Sequence, residues 1–134
     1  MTLKARLMKS EGLRLSPYQD TVGKITIGWG RNLSDVGITE SEAIMMLDHD
    51  ILIAERDTLR ALPWTSSMDG VRFGVLVDMA FNMGITRLLT FKNTLAAVQA
   101  RNYAKAAEHM LDSKWARQVG QRAVDLAEIM KKGA

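Results

Sequence analysis

Residues 11 to 30, Glu11-Gly-Leu-Arg-Leu-Ser-Pro-Tyr-Gln-Asp-Thr-Val-Gly-Lys-Ile-Thr-Ile-Gly-Trp-Gly30, decide the fold of this chain. Just upstream, residues 3 to 10 have the spacing of one short amphipathic helix, with Leu3, Leu7 and Met8 apolar and Lys4, Arg6 and Lys9 polar. Gly12 is a natural stop, because Gly just past the last turn is a common C-cap. Glu11 then falls at the negative end of the helix dipole. An anion there is disfavoured by a few tenths to about 1 kcal/mol, and a cation would be expected. Such a carboxyl group suits a general acid, which must hold its proton near neutral pH, the more so if the site is partly desolvated. The alternative is an ordinary exposed carboxylate paired with Lys9 or Arg14.

Asp20 sits in Gln19-Asp-Thr-Val-Gly-Lys24, where Asp followed by Gly between two extended runs signals a hairpin turn, and by itself it reads as a turn residue. In Lys24-Ile-Thr-Ile-Gly-Trp-Gly30 the side chains alternate. Ile25, Ile27 and Trp29 share a face that can pack, while Thr26, Gly28 and Gly30 share one that is nearly bare. A Thr between glycines on a cleared face leaves room for a ligand, although Gly in a strand can equally mark a bulge and Thr can simply favour β-structure. Pro17 confines its run, Arg14 to Gln19, to a sheet edge. The sheet is therefore small, two or three strands. Two carboxylates and a hydroxyl within sixteen residues suggest hydrolytic chemistry.

Downstream, Thr39-Glu-Ser-Glu42 is a capping box opening a long helix, about 39–61, whose apolar period runs through Ile44, Leu47, Ile51 and Ala54 until Pro63 stops it. About 23 helical residues span roughly 34 Å, enough to tie a small sheet lobe to a helical one, with a break possible near Asp48-His-Asp50. After Pro63 the pattern predicts helices over 68–83, 91–99 and 103–111, a short piece around Trp115, and 121–132 with Ala123, Leu126, Ala127 and Met130 on one face. The fold class is α+β. One folding unit is expected, with a small lobe over about 12–38 and a helical lobe over about 63–134 on which the helix 3–10 packs. The nine Met are most simply core filler.

The sequence resembles the phage T4-type lysozymes, the glycoside hydrolase family of phage endolysins. The family pattern of Glu, eight residues, Asp, five residues, Thr is met by Glu11, Asp20 and Thr26, inside Glu-Gly-Leu-Arg-Leu and Thr-Ile-Gly-X-Gly. Further matches follow in order at Gly37-Ile-Thr39, Phe81-Asn-Met-Gly84, Phe91-Lys-Asn-Thr94, Ser113-Lys-Trp115 and Arg122. They cover nearly the whole chain, which makes the resemblance more specific than a lone motif. It implies a lysozyme-like fold and hydrolysis of the β-1,4 bond between N-acetylmuramic acid and N-acetylglucosamine in bacterial peptidoglycan. It also implies Glu11 as general acid, with Asp20 and Thr26 positioning and activating water in an inverting reaction. Arg122 matches an arginine that approaches the acid in the family. Asn32, Phe81, Asn82, Thr94 and His109 are carried over as substrate contacts. Two departures stand out: only Asn32-Leu-Ser-Asp-Val-Gly37 intervenes where known members carry an additional helix, and Arg31 stands where a His is familiar.

The remaining expectations follow from composition. The net charge of +3 is uneven: residues 1 to 35 carry six basic and three acidic side chains, residues 36 to 62 two and six, and residues 63 to 134 ten and six. Basic lobes favour anionic polymers such as the cell wall. Nucleic acid is disfavoured as a partner, since no basic run exceeds Lys131-Lys132 and no binding motif is present. His49 and His109 form no metal-spaced cluster and Cys is absent, so neither metal, cofactor nor disulfide is expected. No signal peptide or membrane-spanning stretch is apparent, so the chain is expected to accumulate in the cytoplasm of the host, and the resemblance implies a separate membrane pore through which it reaches the wall. A monomer is the default expectation. Two rivals remain, a lytic transglycosylase and a catalytically silent wall-binding or virion structural module.

Overall fold

Thr2 accepts a hydrogen bond from the Ala5 amide at 3.1 Å and starts α1, Leu3–Glu11, in a computed structural model that describes all 134 residues. Gly12 ends it. Its φ of 73° is a value that side chains resist, and its N–H donates to the Met8 carbonyl. Glu11 is therefore the last residue of the helix, as the spacing predicts.

Three strands follow, β1 (Arg14–Gln19), β2 (Ile25–Gly28) and β3 (Arg31–Asn32), antiparallel in the order β1-β2-β3. Tyr18 lies opposite Thr26 and Gln19 opposite Ile25, while Arg14 lies opposite Gly28 with a shift of register in between. Pro17 falls within that shift, where it has no N–H to give a regular ladder. On the other side of β2, Thr26 pairs with Asn32 and Ile27 with Arg31. The Pro17 strand is at an edge, as expected, but the strand expected to run on to Gly30 stops at Gly28. Gly28 and Gly30 have φ of 69° and 80°, left-handed values that favour a turn over a ladder, and the chain doubles back there into β3.

The capping box forms as its sequence predicts. The Glu42 amide donates to Thr39 Oγ1 at 3.1 Å, and the Thr39 amide donates to Glu42 Oε1 at 2.9 Å. It opens α2, Glu40–Ala61, which runs unbroken through Asp48-His-Asp50. A 3-10 turn, Pro63–Ser67, leads to α3 (Gly70–Met83), α4 (Ile85–Leu88), α5 (Lys92–Gln99), α6 (Tyr103–Leu111), α7 (Lys114–Val119) and α8 (Gln121–Lys132). The 3-10 turn and α4 are additions to the expected helices; each is too short to show a 3.6-residue period. No helix is long and apolar enough to cross a membrane.

The chain divides into two compact units, Met1–Met46 and Leu47–Ala134. The boundary falls inside α2, and the helix expected on the helical lobe, α1, groups with the sheet. Thr26 is the one buried residue of the first unit. The second unit has a continuous core around Leu76, Met79, Leu88, Met110, Trp115 and Met130, all fully buried. Met supplies three of those six, the gap-filling use expected of it, and the Ala123, Leu126, Ala127 and Met130 face of α8 is buried with them. Arg72 closes this unit. Its Nε and Nη2 donate to the Met130 and Lys131 carbonyls, the last of α8, and its guanidinium stacks 3.6 Å from the centre of the Tyr103 ring.

Candidate active site

Glu11 is exposed at the end of α1. Its carboxylate occupies the space beside Gly30: a β-carbon on Gly30 would stand 2.7 Å from Glu11 Oε2 and 2.9 Å from Cδ. The candidate acid thus lies against the backbone at Gly30, where only a glycine leaves room. Glu11 forms no ion pair with Lys9 or Arg14.

Asp20 caps the hairpin. Its Oδ1 accepts from the Val22 and Lys24 amides at 2.9 and 2.8 Å, and its own N–H donates to the Lys24 carbonyl. One carboxylate oxygen is therefore the turn residue that the Asp-to-Gly spacing predicts, while Oδ2 takes no hydrogen bond from the protein. Thr26 is 4% exposed in the central strand, and its hydroxyl donates to the Lys24 carbonyl at 3.1 Å.

Register brings Thr26 and its neighbours to one face. Residues directly opposite in a ladder point the same way, so Tyr18, Thr26 and Asn32 form one row across the sheet. Asp20 follows two residues after Tyr18, in the turn that closes the hairpin beyond this row. Arg14, opposite Gly28, lays its guanidinium 4.9 Å from the centre of the Tyr18 ring, which puts it on the same face. Asn32 is braced from below: its Nδ2 donates to Asp35 Oδ2, and its Oδ1 accepts from the Asp35 amide, both at 3.0 Å.

Arg31, which stands where a His is familiar, forms its own ion pair. Nη1 and Nη2 donate to Glu42 Oε1 and Oε2 at 2.9 and 2.7 Å, and Nη1 also reaches the Gly37 carbonyl. The guanidinium, helped by the Thr39 amide, holds the Glu42 carboxyl down at about 2, and Glu42 raises Arg31 in turn. The capping-box glutamate thereby fastens the start of α2 to β3.

The other candidate contacts belong to the helical unit, where four of the five line two separate cavities. Phe81 and Arg122 line one of about 460 Å³ with Phe73, Gly74 and Asp78, and Arg122 Nη2 donates to Asp78 Oδ1 at 2.6 Å. Thr94 and His109 line another of about 400 Å³, where Phe91-Lys-Asn-Thr94 meets Ser113-Lys-Trp115. Asn82 has a structural partner, since its Oδ1 accepts from the buried Trp115 indole at 2.8 Å, and Phe91 packs edge-on to that indole. Gly30 as the seat of Glu11, and Asp78 and Asp35 as partners of Arg122 and Asn32, are not anticipated by the sequence patterns. Only the glycine leaves a sequence signal, as a residue without a side chain in an otherwise alternating run.

A family model described as phage lysozyme matches residues 8–130 of the chain. The probable T4-type lysozyme 1 of Dictyostelium discoideum is 25% identical over 162 aligned positions, covering 98% of this chain and 95% of that protein. The endolysin of Acyrthosiphon pisum secondary endosymbiont phage 1 is 28% identical over 133 positions, covering 94% of this chain and 86% of that protein. The pre-baseplate central spike protein Gp5 of Enterobacteria phage T4 is 28% identical over 161 positions, covering 99% of this chain but 28% of that much longer protein. An alignment of 162 positions against 134 residues leaves at least 28 positions without a counterpart here, the size of a helix with its loops. The endolysin alignment, at 133 positions, requires no such gap.

Proposed function

The chain belongs to the phage lysozyme family and is by that membership a glycoside hydrolase, and from that premise we propose that it hydrolyses the β-1,4 bond between N-acetylmuramic acid and N-acetylglucosamine of bacterial peptidoglycan, with Glu11 as general acid. The observation that carries this reading is the seating of the Glu11 carboxylate against Gly30, in the same compact unit as the Asp20 turn and the Thr26 strand. Glu11 donates a proton to the leaving glycosidic oxygen. Asp20, with Oδ1 fixed by two backbone amides and Oδ2 unengaged, takes a proton from the attacking water. The Thr26 hydroxyl gives its hydrogen to the Lys24 carbonyl, so its oxygen is left to accept from that water. Attack from the opposite side of the sugar ring inverts the anomeric centre and needs carboxyl groups about 6.5 to 9.5 Å apart, against about 5 to 5.5 Å in a retaining pair.

Within the sheet unit Asn32 is the proposed sugar contact, and within the helical unit Phe81, Thr94, His109 and Arg122 are proposed sugar contacts, with Asn82 beside them bracing Trp115. The biological role is lysis of the host cell, with the enzyme held in the cytoplasm until a membrane pore releases it. Similarity to a central spike protein supports a second setting, a wall-cutting module carried on a virion.

The test is a turbidity assay on cell walls. Glu11→Gln is expected to fold as the wild type and clear no wall suspension, with ~10²-fold or greater loss of activity; a lytic Glu11→Gln protein would reject the assignment. Product analysis separates the rivals: an inverted anomer is expected, a retained anomer would make Asp20 a nucleophile, and an anhydro-sugar would indicate a transglycosylase.

A further inference from the structure

The strands and the hairpin turn carry three cations, and two of them are committed. Lys24 Nζ is paired with Asp35 at 3.1 Å, and Arg31 is paired with Glu42 through both of its terminal nitrogens. Arg14 has no carboxylate partner, although Glu11 and Asp20 both belong to the same part of the small unit. Its guanidinium lies over the Tyr18 ring. A cation–π contact of this kind uses none of the guanidinium N–H donors, whose planar fork can take a carboxylate side-on. Tyr18 is opposite Thr26, so the uncommitted cation borders the face on which the hydrolysis is proposed.

We infer that Arg14, held in place by Tyr18, is a specificity residue that binds a carboxylate of the glycan substrate. The inference rests on the peptidoglycan reading above and extends it to a group that the reaction itself does not use. The chemical need is plain. Cell-wall glycan is anionic, carrying carboxylates on its peptides or, where a peptide is removed, on the lactyl ether of the muramic sugar. The Asp20 carboxylate repels such a strand. Lys24, Asp35, Arg31 and Glu42 neutralise one another in pairs, and Lys9 lies on the helix, outside the sheet. Arg14 is the one cation of the strands and their turn left to offset the repulsion, and its planar fork selects a planar anion over a neutral sugar.

The test measures the binding of soluble glycan strands in a Glu11→Gln background, which removes turnover, with Arg14 either present or changed to Gln. Strands bearing carboxylates are compared with the same strands after conversion of every carboxyl to an amide. Arg14→Gln is expected to weaken binding of the carboxylate strands about fivefold and leave the amidated strands unchanged, an effect that fades as salt rises. Arg14→Lys, which keeps the charge without the planar fork, is expected to fall between. Strands with intact peptides and strands stripped of them distinguish a peptide carboxylate from the lactyl one, and a loss confined to either supports the proposal. Equal weakening of amidated strands, or no weakening of any strand, overturns it. With Glu11 restored, kcat of Arg14→Gln is expected to stay within about twofold of wild type while KM rises; a fall in kcat with a displaced pH profile and unchanged KM would place Arg14 on the acid instead and overturn the proposal. A lytic Glu11→Gln enzyme would remove the acid assignment while leaving the carboxylate preference intact, so the two failures are distinguishable.

Discussion

Gly30 lacks a side chain where Glu11 needs one to be absent. An alanine there meets two penalties at once, a β-carbon 2.7 Å from the Glu11 carboxylate oxygen and a φ of 80° that L-residues resist. The backbone penalty is about 1 kcal/mol, small enough for the protein to fold. The steric penalty falls on Glu11, the proposed acid, which must swing away, and a displacement of about 1 Å in a positioned catalytic group can cost on the order of 10²-fold. Gly30→Ala is therefore expected to keep its far-UV circular dichroism and lose 10- to 100-fold of its lytic rate. A folded variant that keeps the full rate would show that Gly30 does not seat the proposed acid. Asp20 makes the opposite arrangement. One of its oxygens serves the backbone and the other is unengaged, so a residue that a turn motif explains completely can also have a chemical role.

At the scale of elements, the junction between the hairpin and α2 depends on Glu42, which caps the helix and grips Arg31. Its carboxyl lies at about 2 rather than the ordinary 4.5. A depressed carboxylate contributes stability that is complete above the unfolded value and is lost as pH falls through the folded one. Glu42→Gln keeps the capping geometry, for which Gln also serves, and removes the ion pair. The stability gap between wild type and Glu42→Gln, followed by denaturant unfolding, is expected to be constant above about pH 5 and to close between about pH 4.5 and 2. A gap that does not respond to acid would mean that the pair does not hold the junction. This junction also marks the limit of what the sequence makes legible. Thr39 and Glu42 announce the cap by local spacing, and Gly12, Asp20 and Pro63 announce their stops and turns through backbone chemistry that each residue carries itself. Arg31 gripping Glu42, Arg122 held by Asp78 and Trp115 bonded to Asn82 join residues 11, 44 and 33 positions apart, and no local period encodes such a meeting. Strand termination at Gly28 was obscured for a related reason, since alternation looks the same whether two glycines clear a face or turn a chain. Of the candidate site, the positions of Glu11, Asp20 and Thr26 on the end of a helix, a turn and a strand were readable; the seat beneath the acid was not.

Across the whole molecule, burial is divided unequally. The helical unit holds the continuous core of Leu76, Met79, Leu88, Met110, Trp115 and Met130, whereas the unit that carries Glu11, Asp20 and Thr26 has a single buried residue, Thr26 itself. Apolar burial at roughly 25 cal/mol per Å² is the main favourable contribution to folding, so the sheet unit depends instead on turns, caps and ion pairs, each contributing about 1 kcal/mol or less. Segments with few buried apolar contacts and exposed backbone hydrogen bonds open at lower free energy than the core. Native-state hydrogen exchange is therefore expected to show the amides of β1, β2 and β3 exchanging by local opening, at least ~10-fold faster than those of α3 and α8, with the α8 amides exchanging only through global unfolding. Lowering the pH towards 2 should widen the difference, because it releases Glu42 from Arg31 while leaving the apolar core untouched. Equal protection across both units, unchanged by acid, would show that they unfold as one cooperative body and that burial within each is the wrong guide. If the expected difference is found, the proposed catalytic groups belong to the more easily opened half of the chain, and a stabilising change there, tested for its effect on lytic rate, becomes the direct measure of whether that mobility serves turnover.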